Sequence, residues 1–356
     1  MSRRQVQGLL AAVLLLGPVP GRSLQARVGL EYDDNPFGAS AGVSNGRRAS
    51  WINRVYLTSS APLFEAPWGW LQLRHQWGLK HFWRSEEKTQ AWSEVMAAHL
   101  ELEGGWPLFQ RMVLLWNGEV KFKEVERISR EKGYLQGALG ATVKGRLGKG
   151  FTGRGHYQRV SEYAWERDLA DVDMQAVGAE LGYSRTRRLQ AHLGVNWRWL
   201  GYGRPVLELG PDGKVRVGAG EQADRLREIV ARAQFFEGML VEVTYAWVDN
   251  HSNSLGYGFR AHRLQGLLSR PIAFGVDGQF FFNIQRRRYR ETLIQALPVS
   301  GTEQDEYAHT LLFLELSRQL TERYGLAWQY HYLRNGSRYE GFYRKNTYGL
   351  SLNVSL

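Results

Sequence analysis

Several groups in this chain have residue types and spacings that could do chemistry. Gly148-Lys149-Gly150-Phe151-Thr152-Gly153 formally matches G-x-G-x-x-G. In a dinucleotide site that pattern follows a parallel strand and opens a helix, so that phosphates meet the helix's first amides. Here alternating segments flank it on both sides, which predicts turn glycines in a hairpin. Glu162, Glu166, Asp168, Asp171 and Asp173 crowd one stretch. They could offer oxygen ligands to calcium, although the EF-hand spacing is absent and a solvated acidic loop is the alternative. Asp33, Asp34 and Asn35 could likewise ligate an ion or form an Asx-type turn at a strand end. Lipid hydrolysis at a membrane face needs a serine beside a histidine that a third group orients. His75, His81 and His262 fall on apolar faces, but the sequence places no serine and third group beside any of them. The reading is therefore no enzyme, no catalytic residue, no cofactor and no resident metal, with histidines near the headgroup level. His75, nearer mid-span, does not fit that placement. The chain has no cysteine, which removes disulfides, thiolate metal sites and a catalytic thiol.

The elements that must position these groups show a period of two. Leu189, Ala191, Leu193, Val195, Trp197 and Trp199 alternate with Gln190, His192, Gly194, Asn196 and Arg198. Ile272, Phe274, Val276, Gly278, Phe280, Phe282 and Ile284 alternate with a smaller or more polar set, as do runs within 71–83, 112–122 and 239–247. Successive side chains of a strand point to opposite faces, so each run has one apolar and one polar face. The runs last about 11–15 residues, against a mode of about 5–6 in globular sheets. Ala91–Glu103 also reads as an amphipathic helix, and Arg225–Phe235 carries charge on both faces. Both are kept as strands, because an open sheet edge is not tolerated in lipid.

Connections alternate in length. Tight ones include 148–150, 184–187, 236–238, 269–271 and 319–322. Between them lie long polar loops over 33–50, 84–90, 124–133, 161–171, 202–224, 250–256, 286–306 and 335–345. The loop at 202–224 is expected to hold a small hairpin, Val206-Leu207 against Val215–Val217. Short turns at one end and long loops at the other predict an all-β, transmembrane, antiparallel up-and-down barrel of about 16 strands, with both termini periplasmic. Arg3 and Arg4 ahead of an apolar run from Leu9 to Gly17 read as an export signal, with cleavage near Ser23 or Ala26. The domain reading is a signal peptide over 1–26 and a barrel over 27–356. Trp51, Trp77, Trp83, Trp197, Trp199, Trp247 and Trp328 lie on apolar faces, where aromatic rings favour the membrane interface.

Sorting charges by parity places Arg27, Arg54, Arg74, Lys80, Arg111, Lys121, Lys123, Lys144, Arg146, Arg154, Arg198, Arg232 and Arg263 on the polar faces. Glu31, Glu101, Glu119, Glu180, Glu228, Glu242, Asp277 and Glu315 stand against them. Rings of side-chain charge set pore selectivity, so this surplus predicts a lumen that favours anions; paired charges lining ordinary water are the alternative. Tyr56, Phe82, Tyr134 and Phe281 are expected inside as well, to stack on sugar rings or to pack against an inserted loop. The net charge is +11, about +8 once Arg3, Arg4 and Arg22 leave with the signal. No basic-aromatic nucleic-acid module is present, so the expected anionic partners are solutes, polymers or lipopolysaccharide phosphates. Arg286, Arg288 and Arg290 share one parity above the apolar band and are candidates to grip those phosphates.

The final segment, Tyr348, Leu350, Leu352, Val354 and Leu356 alternating with small polar residues, resembles the C-terminal signature that barrel-assembly machinery recognises. Tyr32-Asp33-Asp34-Asn35-Pro36-Phe37 before a long loop, and Asp249-Asn250-His251-Ser252-Asn253-Ser254-Leu255-Gly256-Tyr257 followed by Arg263, resemble porin-like β-barrels associated with exopolysaccharide export in Gram-negative bacteria. The resemblance implies an outer-membrane channel, with polysaccharide-export components as partners, and transfers no catalytic residue. Three readings stand: a channel for anionic solutes or an acidic exopolysaccharide, a structural or adhesive barrel plugged by its loops, and a lipid-modifying barrel enzyme.

Overall fold

The computed structural model describes residues 23–34, 49–83, 94–125, 133–164, 171–184, 186, 188–290, 310–337 and 341–355. Among these, every regular element is a strand. In chain order they are β1 (Ser23–Asp33), β2 (Ser50–Ala66), β3 (Gly69–Trp83), β4 (Glu94–Phe109), β5 (Met112–Val125), β6 (Tyr134–Gly148), β7 (Phe151–Ala164) and β8 (Val172–Ser184). They continue as β9 (Leu189–Leu209), β10 (Val215–Phe236), β11 (Leu240–Ser252), β12 (Phe259–Pro271), β13 (Val276–Tyr289), β14 (Thr310–Gln319), β15 (Tyr324–Ser337) and β16 (Gly341–Ser355). Each pairs antiparallel with its chain neighbours, and β1 closes on β16, giving a closed 16-stranded up-and-down barrel. This is the architecture of an outer-membrane barrel, and its strand number is the one read from the alternation. Closure removes every sheet edge, which strands of 10 to 22 residues would otherwise expose. The segments 94–103 and 225–235 lie within β4 and β10 as strands.

The wall is inverted relative to a globular core. Val28, Leu30, Leu193, Ile229, Val243, Ile284, Leu350 and Leu352 are all exposed on its outer side. Trp51, Trp83, Trp197, Trp199 and Trp328 are exposed with them, and Trp77 and Trp247 are half-buried at the same parity. Pairing preserves this sorting, since opposed residues share a face: Tyr32 meets Trp51, which meets Trp83.

Short turns gather at one end, where β1 begins and β16 stops. Gly148-Lys149-Gly150 is such a turn, with all three residues at positive φ, so the glycine pattern serves a hairpin. One expected turn moves. β12 runs through Pro271 and the reversal occupies Ile272–Gly275, with Phe274 and Gly275 in the left-handed region and Ile272 N–H donating to Val276 O at 2.7 Å. Ile272 and Phe274 therefore belong to the turn and not to the strand that their spacing suggested. At the opposite end β9 and β10 rise past their neighbours as a ribbon. There Leu207 pairs with Val217 and Leu209 with Val215, the hairpin expected from the sequence. The β11–β12 connection docks on it, Leu255 N–H donating to Leu207 O at 2.8 Å.

The expected signal peptide and much of the long loops lie outside the described residues. Ser23–Ala26, counted with the signal in the sequence, are paired with Leu57–Ser60 in β1.

Candidate functional site in the barrel lumen

Alternation aims every second residue of each strand inward, and register decides which inward groups meet. On the wall around β1, Arg27 Nη2 lies 3.3 Å from Glu315 Oε2 and Arg27 Nε donates to Ser351 Oγ at 2.9 Å. Glu315 also accepts from Gln329. Glu31, its side chain 5% exposed, pairs with Arg54, and Lys80 stands opposite Arg54 in the register. Lys345 Nζ lies 2.7 Å from the fully buried Asp33. A cavity of about 680 Å³ opens here, lined by Arg27, Glu31, Arg54, Tyr56, Gln329 and His331 among others.

Further round, carboxylates are shared between cations. Glu228, 3% exposed, receives Arg198 at 3.1 Å, Arg263, and Asn196 at 3.2 Å. Glu180 takes Arg232 and His192, each at 3.0 Å. Glu119 takes Lys121 at 3.0 Å and His99 at 3.1 Å, while Arg74 meets Glu103 at 3.1 Å. Lys123 sits inward between Ala97 and Tyr134 in the register. Such shared carboxylates hold these cations against the wall and offset their charge, as expected of charge-assisted bonds.

The remaining cations differ. Arg111, Lys144, Arg146 and Arg154 come from the β4–β5 turn, β6 and β7 near the short-turn end. All four are exposed, and among the described residues no ion pair holds any of them. With Glu180, His192 and Arg232 they line a second cavity of about 730 Å³. Adjacent strands bring them together: Lys144 faces Arg154 across the β6–β7 pair, and Arg146 N–H donates to Arg111 O at 3.0 Å. The inward acids Glu101, Glu242 and Asp277 also form no ion pair among the described residues, but they belong to other strands, β4, β11 and β13.

The interior wall carries apolar groups too. Ile52, Phe82 and Val95 form one buried inward cluster, and Leu226, Val248, Phe259 and Ala261 another, both toward the long-connection end. Arg287 lies over the Phe259 ring at 4.2 Å. Tyr134 and Phe281 face inward, the latter opposite Leu267 and Phe313. Parity alone would also have placed Asp33, His99, Glu103, His192 and Lys345 inside. It could not tell paired cations from free ones, because pairing depends on register across strands.

The other candidates resolve individually. Asp34 accepts from the Asn346 backbone N–H at 2.6 Å and from its side-chain amide at 2.7 Å, so where a local Asx turn is suggested by sequence it bridges β1 to β16. Asn35, Glu166 and Asp168 lie outside the described residues. Asp171 accepts from Ala164 N–H at 3.1 Å, Asp173 from Ser161, and Glu162 from Gln136 at 3.1 Å. Among the described residues no cluster of three or more carboxylate or histidine groups could hold a metal. Ser59 Oγ lies 3.0 Å from His75 Nδ1 on the outer side of β2 and β3, with Ser59 only 4% and His75 only 7% exposed. This is the serine that sequence could not place. Both residues are mid-strand and buried, the opposite of an exposed nucleophile. Arg286, Arg288 and Arg290 are exposed, and their strand partners put Arg286 and Arg288 on the outer face of β13.

No family model matches the chain, and no curated protein does. Among solved structures it is similar to OccAB1 of Acinetobacter baumannii, at 8% identity over 96% of this chain and 98% of that one, with a TM-score of 0.48. It is similar also to the FrpB iron transporter of Neisseria meningitidis, at 11% identity over 97% and 83%, TM-score 0.46. A third is a bacterial polysaccharide outer membrane secretin, at 7% identity over 94% and 98%, TM-score 0.42. At these identities the likeness concerns the strand-built wall and bears on no individual residue.

Proposed function

We propose that the chain is an outer-membrane channel of Gram-negative type, termini on the periplasmic side, whose lumen favours anions. The apolar outer band with its exposed tryptophans supports residence in a bilayer. A barrel of 16 strands is too wide for side chains to fill, which supports a water-filled interior. The observation that carries the selectivity is the group Arg111, Lys144, Arg146 and Arg154, exposed to one cavity and in no ion pair among the described residues. The Glu180 opposite Arg154 is taken by Arg232 and His192. Unneutralised charge in a confined passage lowers the free energy of an anion there and raises that of a cation. Scattered cations with inward Tyr56 and Phe281 also suit a polymer, which needs weak repeated contacts, and the finer reading is export of an acidic exopolysaccharide. No catalytic role is assigned to Ser59 and His75.

Planar-bilayer conductance under a salt gradient tests the channel. The purified protein is expected to conduct with an anion-selective reversal potential, and replacing all four cations with serine should move that potential toward the cation side. A cation-selective wild type overturns the charge argument, and an absence of conductance leaves the loop-plugged structural barrel. Deletion of the gene should retain polysaccharide in the periplasm; unchanged secretion would restrict the cargo to small anions.

A further inference from the structure

The outer face of β10–β13 changes character along its length. Its lower and middle rows are apolar: Phe280, Phe282 and Ile284 on β13, Leu264 and Leu268 on β12, Val243 and Tyr245 on β11. The register then aligns Ile229, Trp247, His262 and Arg286 in one row, and Arg227, Asp249, Arg260 and Arg288 in the next. Above these, Arg225 stands opposite His251, and Arg290 leaves the end of β13. Six arginines thus gather on four adjacent strands, at the long-connection end, directly beyond the apolar band.

Their partners are few. Asp249 is the carboxylate that the register sets among these arginines. It engages Arg260 Nε at 3.4 Å, Arg290 Nη2, and His251 Nε2 at 3.1 Å. Arg290 Nη2 also approaches His251 Nε2 at 3.0 Å, and Tyr245 and His262 share a hydrogen bond of 2.7 Å. Arg225, Arg227, Arg286 and Arg288 are exposed and, among the described residues, enter no ion pair. The side chain of Arg260 is 63% exposed despite its contact.

We infer that this belt binds the phosphorylated glycolipid of the outer leaflet, with Arg286, Arg288, Arg260 and Arg227 contacting its phosphates. The inference rests on the outer-membrane reading above. It follows from depth and chemistry together. Strands rise about 3.3 Å per residue, so Arg286 and Arg288 stand about 7 and 13 Å along β13 beyond Ile284, the last apolar residue of its outer face. Guanidinium forks bind phosphate bidentately and remain charged at any working pH, so they replace the divalent cations that otherwise bridge such phosphates. Asp249 does not neutralise the belt; it fixes Arg260, Arg290 and His251 in one arrangement, and the other four arginines have no ion-pair partner among the described residues. Trp247 and Ile229 in the first basic row continue the apolar face on which acyl chains would lie.

The test uses the full chain purified in neutral detergent, with Arg227→Ser/Arg260→Ser/Arg286→Ser/Arg288→Ser as the variant. Bisphosphorylated lipid A is expected to raise the wild-type unfolding midpoint by several degrees and to remain bound through EDTA. Dephosphorylated lipid A and phosphatidylglycerol should do neither. The variant should keep the wild-type midpoint without lipid and its gel shift between unheated and boiled samples, and lose the lipid-induced rise. An equal rise in the variant, or with dephosphorylated lipid A, overturns the belt; an equal rise with phosphatidylglycerol reduces it to a general anionic surface. A wild type without the gel shift, found outside the membrane fraction, would refute the membrane reading itself and is distinguishable from loss of lipid binding alone.

Discussion

His75 shows how a residue that looks misplaced in sequence is accommodated by register. Its parity sends it outward among apolar neighbours, and the β2–β3 pairing sets Ser59 opposite it at hydrogen-bond distance. A buried polar group that loses a partner costs about 1–3 kcal/mol, whereas removing both partners together can be close to neutral. Ser59→Ala is therefore expected to destabilise the barrel by about that amount, and Ser59→Ala combined with His75→Leu to recover most of it. Unfolding midpoints of the two singles and the double check this, and additive losses would show that the pair is not a unit. The inward charges were legible residue by residue because side-chain direction depends only on position modulo two. The partition into shared carboxylates at Glu180 and Glu228 and the unneutralised set around Lys144 and Arg154 was not, since one strand's spacing says nothing of its neighbour's register. The arginine belt was half legible for the same reason: Arg286, Arg288 and Arg290 follow from β13 alone, while Arg225, Arg227 and Arg260 join them only through pairing.

Most strands declared themselves through alternation, and those that did not were fixed by closure. The segment 94–103 reads equally as an amphipathic helix, yet β3 and β5 both bond to it, and a helix there would leave two open edges. The turn at Ile272–Gly275 escaped detection because Phe274 keeps the alternating pattern while its backbone leaves the strand. Phe274 is 89% exposed, so nothing in packing opposes that reversal. The β9–β10 ribbon is a separate case. It stands beyond the strands that flank it, and its ties are to the β11–β12 connection: Leu207 N–H to Ser254 Oγ at 2.9 Å, and Ala223 N–H to Asn253 Oδ1 at 2.7 Å. Replacing residues 206–217 with a two-residue turn should leave the closed barrel and its gel shift intact, because no ladder bond of β8 or β11 is removed. The connection 253–258 should become more sensitive to protease. Loss of the gel shift would mean that the ribbon has a role in forming the barrel.

At the scale of the molecule, sixteen strands follow one another in chain order except at one junction, where β1 meets β16. That junction aligns Gln25 with Ser355 and Asp33 with Thr347, and it is clasped at its far end by Asp34 on Asn346 and by Asp33 on Lys345. All other pairings are between neighbours in sequence and can form as hairpins. The junction alone joins residues more than three hundred positions apart, and pairing between sequence-distant strands is slow because the chain entropy of closing the loop is lost before any bond is gained. The first strand accordingly has no permanent partner on one edge until the last has been delivered. Closure of the seam is therefore expected to be the slow step, and Asp34→Ala should slow appearance of the heat-shifted species in refolding time courses while leaving its final yield nearly unchanged. A rate equal to wild type would place the slow step in hairpin formation. The same geometry means that, until the ends meet, the chain presents two adhesive edges to its surroundings, the kind of surface on which unpaired strands of other chains could add.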